Sequence, residues 1–124
     1  MAWYRCSNNL GTYDKYEIDN TTLISNTYID ENNGTEVSTN GWSATDFLTV
    51  SGNSLVVVGC ILGYGTNVYN AFYDENKNYV SRLTLPRAAD SGAPIVIPSN
   101  VKYMRISCQT TLFTTNIYFM GTDN

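Results

Sequence analysis

The spacing of turn-forming residues constrains the fold of this chain more than any other feature of its sequence. Short apolar or aromatic runs are separated by clusters of Gly, Asn, Asp and Pro, such as Asp30–Gly34 and Ser51–Asn53. The clusters recur about every eight to twelve positions, and no segment keeps the 3.6-residue apolar period of an amphipathic helix. The pattern predicts one all-β domain over residues 1–124, a sandwich or barrel of about eight to ten strands.

The most regular alternation lies in Lys102–Gln109. Successive side chains of a strand point to opposite faces, so we expect one face of this strand to be buried and the other to carry polar groups. The apolar face consists of Met104, Ile106 and Cys108, and the other face consists of Tyr103, Arg105 and Ser107. The run Leu55–Leu62 is apolar throughout, which predicts a central strand buried on both faces.

Other segments rich in β-branched and aromatic residues are also expected to form strands. They are Trp3–Cys6, Thr22–Ile29, Trp42–Val50, Val68–Asp74, Tyr79–Leu85, Ile95–Ile97 and Ile117–Met120. The turn between Val68–Asp74 and Tyr79–Leu85 predicts that these two strands form a hairpin. A polar loop is expected after Trp3–Cys6, and a longer loop at Pro86–Gly92.

The charge balance argues against nucleic acid and membranes as partners. The net charge is −4, and the 7 Lys and Arg residues are scattered without forming a run, whereas nucleic acid is bound by clustered basic residues. No stretch reaches the roughly 20 apolar residues that span a bilayer. The opening segment Met1–Cys6 lacks the charged and apolar regions of a signal peptide, so we expect synthesis in a cytoplasm.

Catalysis is not expected. The chain has no His, which excludes the usual serine or cysteine triad. The carboxylates concentrate in predicted turns, in Asp30–Glu31 and Asp74–Glu75, where turn chemistry explains them. The glycines of Gly59–Gly65 lack the Lys and the following helix of a phosphate loop. We therefore predict no enzyme activity and no cofactor, with a structural calcium ion at the Asp74–Asn78 turn as a weaker alternative.

Three cysteines leave at least one thiol without a partner in the chain. Cys60 and Cys108 lie in apolar predicted strands, where a free Cys behaves as a small hydrophobic residue. We expect both to be buried thiols, and a Cys60–Cys108 disulfide is the alternative. Three separated Cys without His do not predict a zinc site.

Two stretches, Tyr69–Ser81 and Ile97–Ser107, together with the upstream Trp42–Val50, carry a family resemblance. They resemble the jelly-roll, carbohydrate-binding-module-like domains of bacteriophage tail, baseplate and fibre proteins and of some Gram-positive surface proteins. The resemblance covers residues 42–107 as a core. It leaves residues 1–40 as N-terminal strands or an attachment region. It implies an antiparallel β-sandwich of jelly-roll type and brings no catalytic residue with it.

The same resemblance implies a virion protein, made in the host cytoplasm, that binds host cell-surface glycans and other virion proteins. A tail, baseplate or fibre location is favoured over a head location. One alternative is a purely structural assembly protein of the capsid or head that binds no glycan. Another is a bacterial cell-surface glycan-binding module.

A sugar-binding surface needs exposed aromatic faces that stack on pyranose rings, and polar side chains that hydrogen-bond to hydroxyl groups. The candidate ligand-binding residues are Trp42, Tyr64, Tyr69, Asn70, Tyr73, Arg87, Tyr103 and Arg105. Tyr103 and Arg105 form the strongest pair, because the alternation places them on one face. Each Tyr could equally pack within a sheet, and Arg105 could pair with an acid across the sheet.

The same composition suits protein interfaces, which are enriched in Tyr, Trp and Arg and depleted in Lys and Glu. The chain contains 10 Tyr residues, and only 15% of its residues are charged. We therefore expect a homo-oligomer, and the resemblance to phage jelly rolls favours a trimer.

Overall fold

A computed structural model describes residues 2–8, 11–62, 65–90 and 92–121, with side chains described from residue 14 onward. The described residues form two antiparallel sheets and three single-turn 3-10 segments. The 3-10 segments are Asn20–Thr22, Ala88–Asp90 and Thr110–Leu112. No helical segment in these ranges is long and apolar enough to cross a membrane.

Eleven strands, numbered along the chain, build the two sheets in the described residues. They are β1 (Ala2–Asn8), β2 (Gly11–Glu17), β3 (Ile24–Ile29), β4 (Glu36–Ala44), β5 (Leu48–Thr49), β6 (Ser54–Val58), β7 (Asn70–Tyr73), β8 (Tyr79–Arg82), β9 (Ile95–Val96), β10 (Tyr103–Gln109) and β11 (Asn116–Met120). The first sheet has the order β1-β2-β11-β6-β9. The second has the order β3-β4-β10-β7-β8, and the short β5 also pairs with β10.

The strand pairing is that of a jelly roll. Strand β7 pairs with β8, β6 with β9, β4 with β10 and β2 with β11. One half of the chain therefore runs back alongside the other as a long hairpin that folds over into two sheets, which is the jelly-roll arrangement. The expected all-β, jelly-roll sandwich is confirmed.

The core lies between the two sheets. Phe119 and Ile117 of β11 and Leu55 of β6 face Met104 and Ile106 of β10, and all five side chains are fully buried. Cys60 and Cys108 are free thiols in this same core. The alternation predicted for Lys102–Gln109 is confirmed on its apolar face.

A second, smaller apolar cluster covers the outer face of the second sheet. It consists of Ile29, Ala44, Ala71 and Tyr73, with Phe47, Tyr79 and Tyr103 packed against it. The backbone N–H of Ile29 donates to the Ser107 hydroxyl at 3.0 Å. The hairpin tip, from Ile29 at the end of β3 to Glu36 at the start of β4, therefore lies over this sheet face and removes much of it from water.

The hairpin can fold over in this way because its two strands are interrupted. The β3–β4 pairing breaks between Ser25 and Thr27, and the break contains two residues in the left-handed region, Asn26 at φ 53° and Gly41 at φ 84°. Asn and Gly adopt this region at low cost. A continuous regular ladder would keep the hairpin in the plane of the sheet.

The end of β6 depends on a glycine. Gly59 has φ 122°, and a Cβ atom added there would lie 1.9 Å from the carbonyl oxygen of Thr114. Only glycine allows the two backbones to approach so closely. Strand β6 therefore ends at Val58, and the prediction of a strand through Leu62 buried on both faces was wrong. Val58 is 44% exposed on the outer face.

Several other predicted elements differ from the structure. Residues Gly11–Glu17, expected within a polar loop, form β2. The predicted strand Trp42–Val50 is split, since β4 starts already at Glu36 and β5 covers only Leu48–Thr49. The hairpin predicted around Asp74–Asn78 is confirmed as β7 and β8.

Candidate functional site

Three aromatic side chains meet at the surface of the second sheet and form what we call the aromatic corner, namely Tyr28, Trp42 and Tyr69. The ring centroids of Trp42 and Tyr69 lie 4.9 Å apart with the planes at 75°. Tyr28 lies 5.4 Å from Tyr69 at 80° and 6.1 Å from Trp42 at 64°. Three steeply inclined rings enclose a corner rather than a flat stack.

The corner opens to solvent. Its three rings are half-buried, and with Thr39 they line a surface depression of about 180 Å³. Tyr28 belongs to β3, Thr39 and Trp42 belong to β4, and Tyr69 immediately precedes β7. The interrupted β3–β4 hairpin therefore supplies three of the four lining residues.

The backbone around Tyr69 is fixed by buried polar groups. Its N–H donates to Asn67 Oδ1 at 3.1 Å, and its carbonyl oxygen accepts a hydrogen bond from the hydroxyl of Ser107. Asn67 and Ser107 are themselves fully buried. Trp42 is held by the ladder between β4 and β10, where it lies opposite Gln109. The backbone that carries two of the rings is thus fixed by the core.

The corner combines apolar ring faces with hydrogen-bonding edges. Tyr hydroxyls and the Trp indole N–H are polar groups at the rims of apolar rings, and Thr39 adds an aliphatic hydroxyl. The four lining residues carry no formal charge. Such a surface can stack on an apolar ligand face and hydrogen-bond to hydroxyl groups at its edge.

The structure brings two of the predicted site residues, Trp42 and Tyr69, together in this corner. Sequence reasoning missed Tyr28 and Thr39. Tyr28 lay within a predicted strand, but nothing in the sequence distinguished it among 10 Tyr residues. Its contact with Tyr69 depends on the folding-over of the β3–β4 hairpin, which is not a local property of the chain.

Asn70 is fully buried, and its side chain is used within the fold. Its Nδ2 donates to the carbonyl oxygens of Asn67 at 2.8 Å and Leu83 at 3.0 Å. Its Oδ1 accepts the backbone N–H of Ser107 at 3.0 Å. The prediction placed this amide at a ligand surface, whereas the structure places it inside the sandwich.

Arg105 is on the predicted face of β10, but the hairpin tip covers it. Its side chain is 5% exposed and donates to Glu36 Oε2 at 2.7 Å and to the carbonyl oxygen of Thr45 at 2.9 Å. The alternative expectation for Arg105, that it pairs with an acid across the sheet, is therefore the one that the structure shows. The guanidinium also lies 4.9 Å from the ring centroid of Phe47.

Tyr73 and Tyr103 share that outer face. Tyr73 is 3% exposed and donates from its hydroxyl to the carbonyl oxygen of Gly34 at 2.6 Å. Burial raises the pKa of Tyr73 to about 12. Tyr103 is half-buried beside Phe47, with the Lys77 ammonium 5.5 Å from its ring centroid. The Tyr73 hydroxyl thus holds the hairpin tip against the sheet.

The two remaining predicted residues do not join the aromatic corner. Arg87 is exposed and pairs with Asp90 at 2.9 Å, three residues along the chain. Tyr64 lies outside the described residues. The predicted site is therefore divided into the open aromatic corner, a covered sheet face and a separate loop.

Two further depressions occur in the described surface. One, of about 270 Å³, is lined by Tyr16, Ile18, Thr22, Thr45, Asp46, Phe47 and Leu48. Another, of about 440 Å³, lies between the turns at residues 74–76 and 99–102. In the latter, Asp74 Oδ1 accepts the backbone N–H groups of Asn76 and Asn78 at 2.9 and 3.0 Å. The carboxylate thus stabilises its own turn.

Among residues 2–8, 11–62, 65–90 and 92–121, no group of three or more His, Cys, Asp or Glu side chains could hold a metal ion. No protein-family model matches the sequence, and neither a curated protein nor a solved structure shows significant similarity to it. The aromatic corner is the strongest candidate site because it joins three aromatic rings and a hydroxyl group in one solvent-open depression.

Proposed function

We propose that this chain is a non-enzymatic binding module of a bacteriophage virion, in a tail, baseplate or fibre, and that its aromatic corner binds host cell-surface glycan. The observation that carries the proposal is the solvent-open corner of Tyr28, Trp42 and Tyr69 on a jelly-roll sandwich. Inclined aromatic rings with polar rims suit a pyranose, which has apolar faces and hydroxyl groups at its edge.

The rigidity of the site supports the same proposal. A ligand site whose side chains are already ordered loses little conformational entropy on binding. The backbone of Tyr69 is fixed by Asn67 and Ser107, and that of Trp42 by a strand ladder. The rings themselves pack against one another and against Tyr28. The virion assignment itself rests on the resemblance of residues 42–107 to phage domains.

A cell-binding assay tests this function. The purified protein is sedimented with intact bacteria and with their extracted surface polysaccharide. We expect Trp42→Ala to abolish co-sedimentation, and Tyr118→Ala to leave it unchanged, because Tyr118 lies on β11 in the other sheet. Equal binding of the wild type and Trp42→Ala would show that the aromatic corner is not the glycan-binding site.

A second candidate function is assembly without a glycan ligand. The observation that favours it is apolar exposure on the outer face of the first sheet, where Val96 is 77% and Val58 44% exposed. Val56, which is half-buried, lies between them on the same face, because Val96 pairs with Ser54 at the other end of β6. The three valines form one apolar row, and contiguous exposed apolar patches mark interaction sites. In that case Val58→Ser and Val96→Ser would change the oligomeric state measured by sedimentation velocity, and the wild type would bind none of the polysaccharides.

A further inference from the structure

We infer that the aromatic corner recognises a single uncharged sugar ring, such as the neutral end unit of a glycan, and not an anionic sugar or a cation. The inference rests on the proposed function and narrows it to one ligand class. It follows from three properties of the depression: its size, its charge and its polar groups.

The size limits the ligand to about one ring. The depression measures about 180 Å³, whereas sites for drug-sized ligands start at about 300 Å³. The walls on three sides are rings whose centroids lie within 4.9 to 6.1 Å of each other. Only the first unit of a longer glycan would fit in this corner, and the following units would lie outside it. The contact area is therefore concentrated on one sugar of the glycan.

The lining offers an anion no counter-charge. Tyr28, Thr39, Trp42 and Tyr69 are all uncharged, and the two Arg residues predicted for the site are engaged elsewhere. Arg105 is buried against Glu36, and Arg87 pairs with Asp90. A carboxylate or sulfate placed between the negative faces of aromatic rings would lose hydration without gaining an ion pair.

A cation is disfavoured because the depression has no charge to balance it. Inclined aromatic faces such as these, at 64° to 80° to one another, do attract cations. Among the described lining residues, however, no carboxylate balances a bound ammonium. The hydroxyl and indole N–H groups suit sugar hydroxyls instead.

A glycan array with neutral, anionic and phosphocholine-bearing ends tests the inference. We expect hits among glycans with neutral ends and competition by the free neutral monosaccharide of that end. The uronic acid of the same sugar should bind at least about tenfold more weakly, and affinity should be nearly unchanged between low and high salt. Trp42→Ala and Tyr28→Ala should each remove the hits, provided that circular dichroism shows them folded, and Tyr118→Ala should keep them.

The contradicting outcomes separate the inference from the function it rests on. Hits confined to anionic ends, strong salt dependence, or competition by choline chloride would overturn the neutral ligand class while the glycan-binding function stood. Hits on long chains that free monosaccharides do not displace would overturn the single-ring site. Absence of hits, together with absence of binding to cells and polysaccharide, would overturn the proposed function itself.

Discussion

The side-chain oxygen of Asn67 accepts the backbone N–H of Tyr69 at 3.1 Å, so a fully buried amide positions a ring of the surface site. The same amide donates to the carbonyl oxygens of Cys60 at 3.2 Å and Ser107 at 3.0 Å. One polar side chain thus joins the end of β6, the start of β7 and the centre of β10. The stability of the core and the geometry of the corner are coupled through it.

Replacing Asn67 should therefore reduce both stability and binding. Asn67→Leu leaves two buried carbonyl oxygens and one partly buried N–H without this partner, and each buried group costs about 1–3 kcal/mol. We expect the free energy of unfolding, measured with urea, to fall by about 3 kcal/mol or more. Asn76→Ala, in an exposed turn, is the control and should change it by less than about 0.5 kcal/mol. If the two variants had similar free energies of unfolding, the buried hydrogen bonds of Asn67 would not stabilise the fold as described.

The buried guanidinium of Arg105 gives a second stability prediction. Arg105→Ala leaves the buried Thr45 carbonyl oxygen without its donor and removes a buried side chain from beneath the hairpin tip, and we expect a loss of about 2–3 kcal/mol in urea unfolding. Glu36 is half-exposed, and the side-chain oxygen of Gln can still accept from the guanidinium, so Glu36→Gln should cost less. If Arg105→Ala left stability unchanged but abolished glycan binding, the hairpin tip would not cover this face.

Stability should depend on Tyr73 at alkaline pH. Burial raises its pKa from 10.0 to about 12, so between these values the unfolded chain releases a proton that the folded protein retains. The stabilisation that the protonated Tyr73 hydroxyl gives the folded state is therefore complete below about pH 10 and is lost as the pH rises toward 12. Tyr73→Phe should unfold more easily at pH 8, by about 1 kcal/mol, and show a shallower loss of stability above pH 10. An equally steep loss in Tyr73→Phe and wild type would exclude Tyr73 as its source.

The core thiols should be unreactive in the native protein. The hydrogen bond with Cys108 and burial raise the pKa of the Cys60 thiol, and reaction requires the thiolate. Complete burial keeps a reagent away from Cys108. In a Cys6→Ser background we expect a chromogenic disulfide reagent to label neither Cys60 nor Cys108 at pH 8, and to label both in denaturant. Rapid native labelling of either residue would show that its thiol is not in the core.

The sequence predicted those parts of the fold that depend on local patterns. The alternation in β10 identifies Met104, Ile106 and Cys108 as core residues, because each faces the same environment along one strand. Strand β2 escaped prediction because Asp14, Lys15 and Glu17 interrupt its apolar pattern. The burial of Arg105 could not be predicted, since the hairpin tip that covers it lies about 70 residues earlier in the chain.

The candidate site was predictable only in part for the same reason. Trp42 and Tyr69 are aromatic residues beside predicted strands, and both reach the corner. Tyr28 joins them only because Asn26 and Gly41 allow the β3–β4 hairpin to fold over. Asn70 has the chemistry of a ligand-binding amide, but its hydrogen bonds satisfy buried backbone groups instead.

The most direct measurement of the central claim follows the Trp42 indole N–H by NMR during titration with bacterial surface polysaccharide. The chain has two tryptophans. Trp3→Phe leaves Trp42 alone, so the single remaining indole signal reports on the corner. We predict that this signal shifts and saturates at the same ligand concentration that saturates co-sedimentation. An indole signal that stays unchanged while Trp3→Phe still binds the polysaccharide would show that the ligand binds elsewhere.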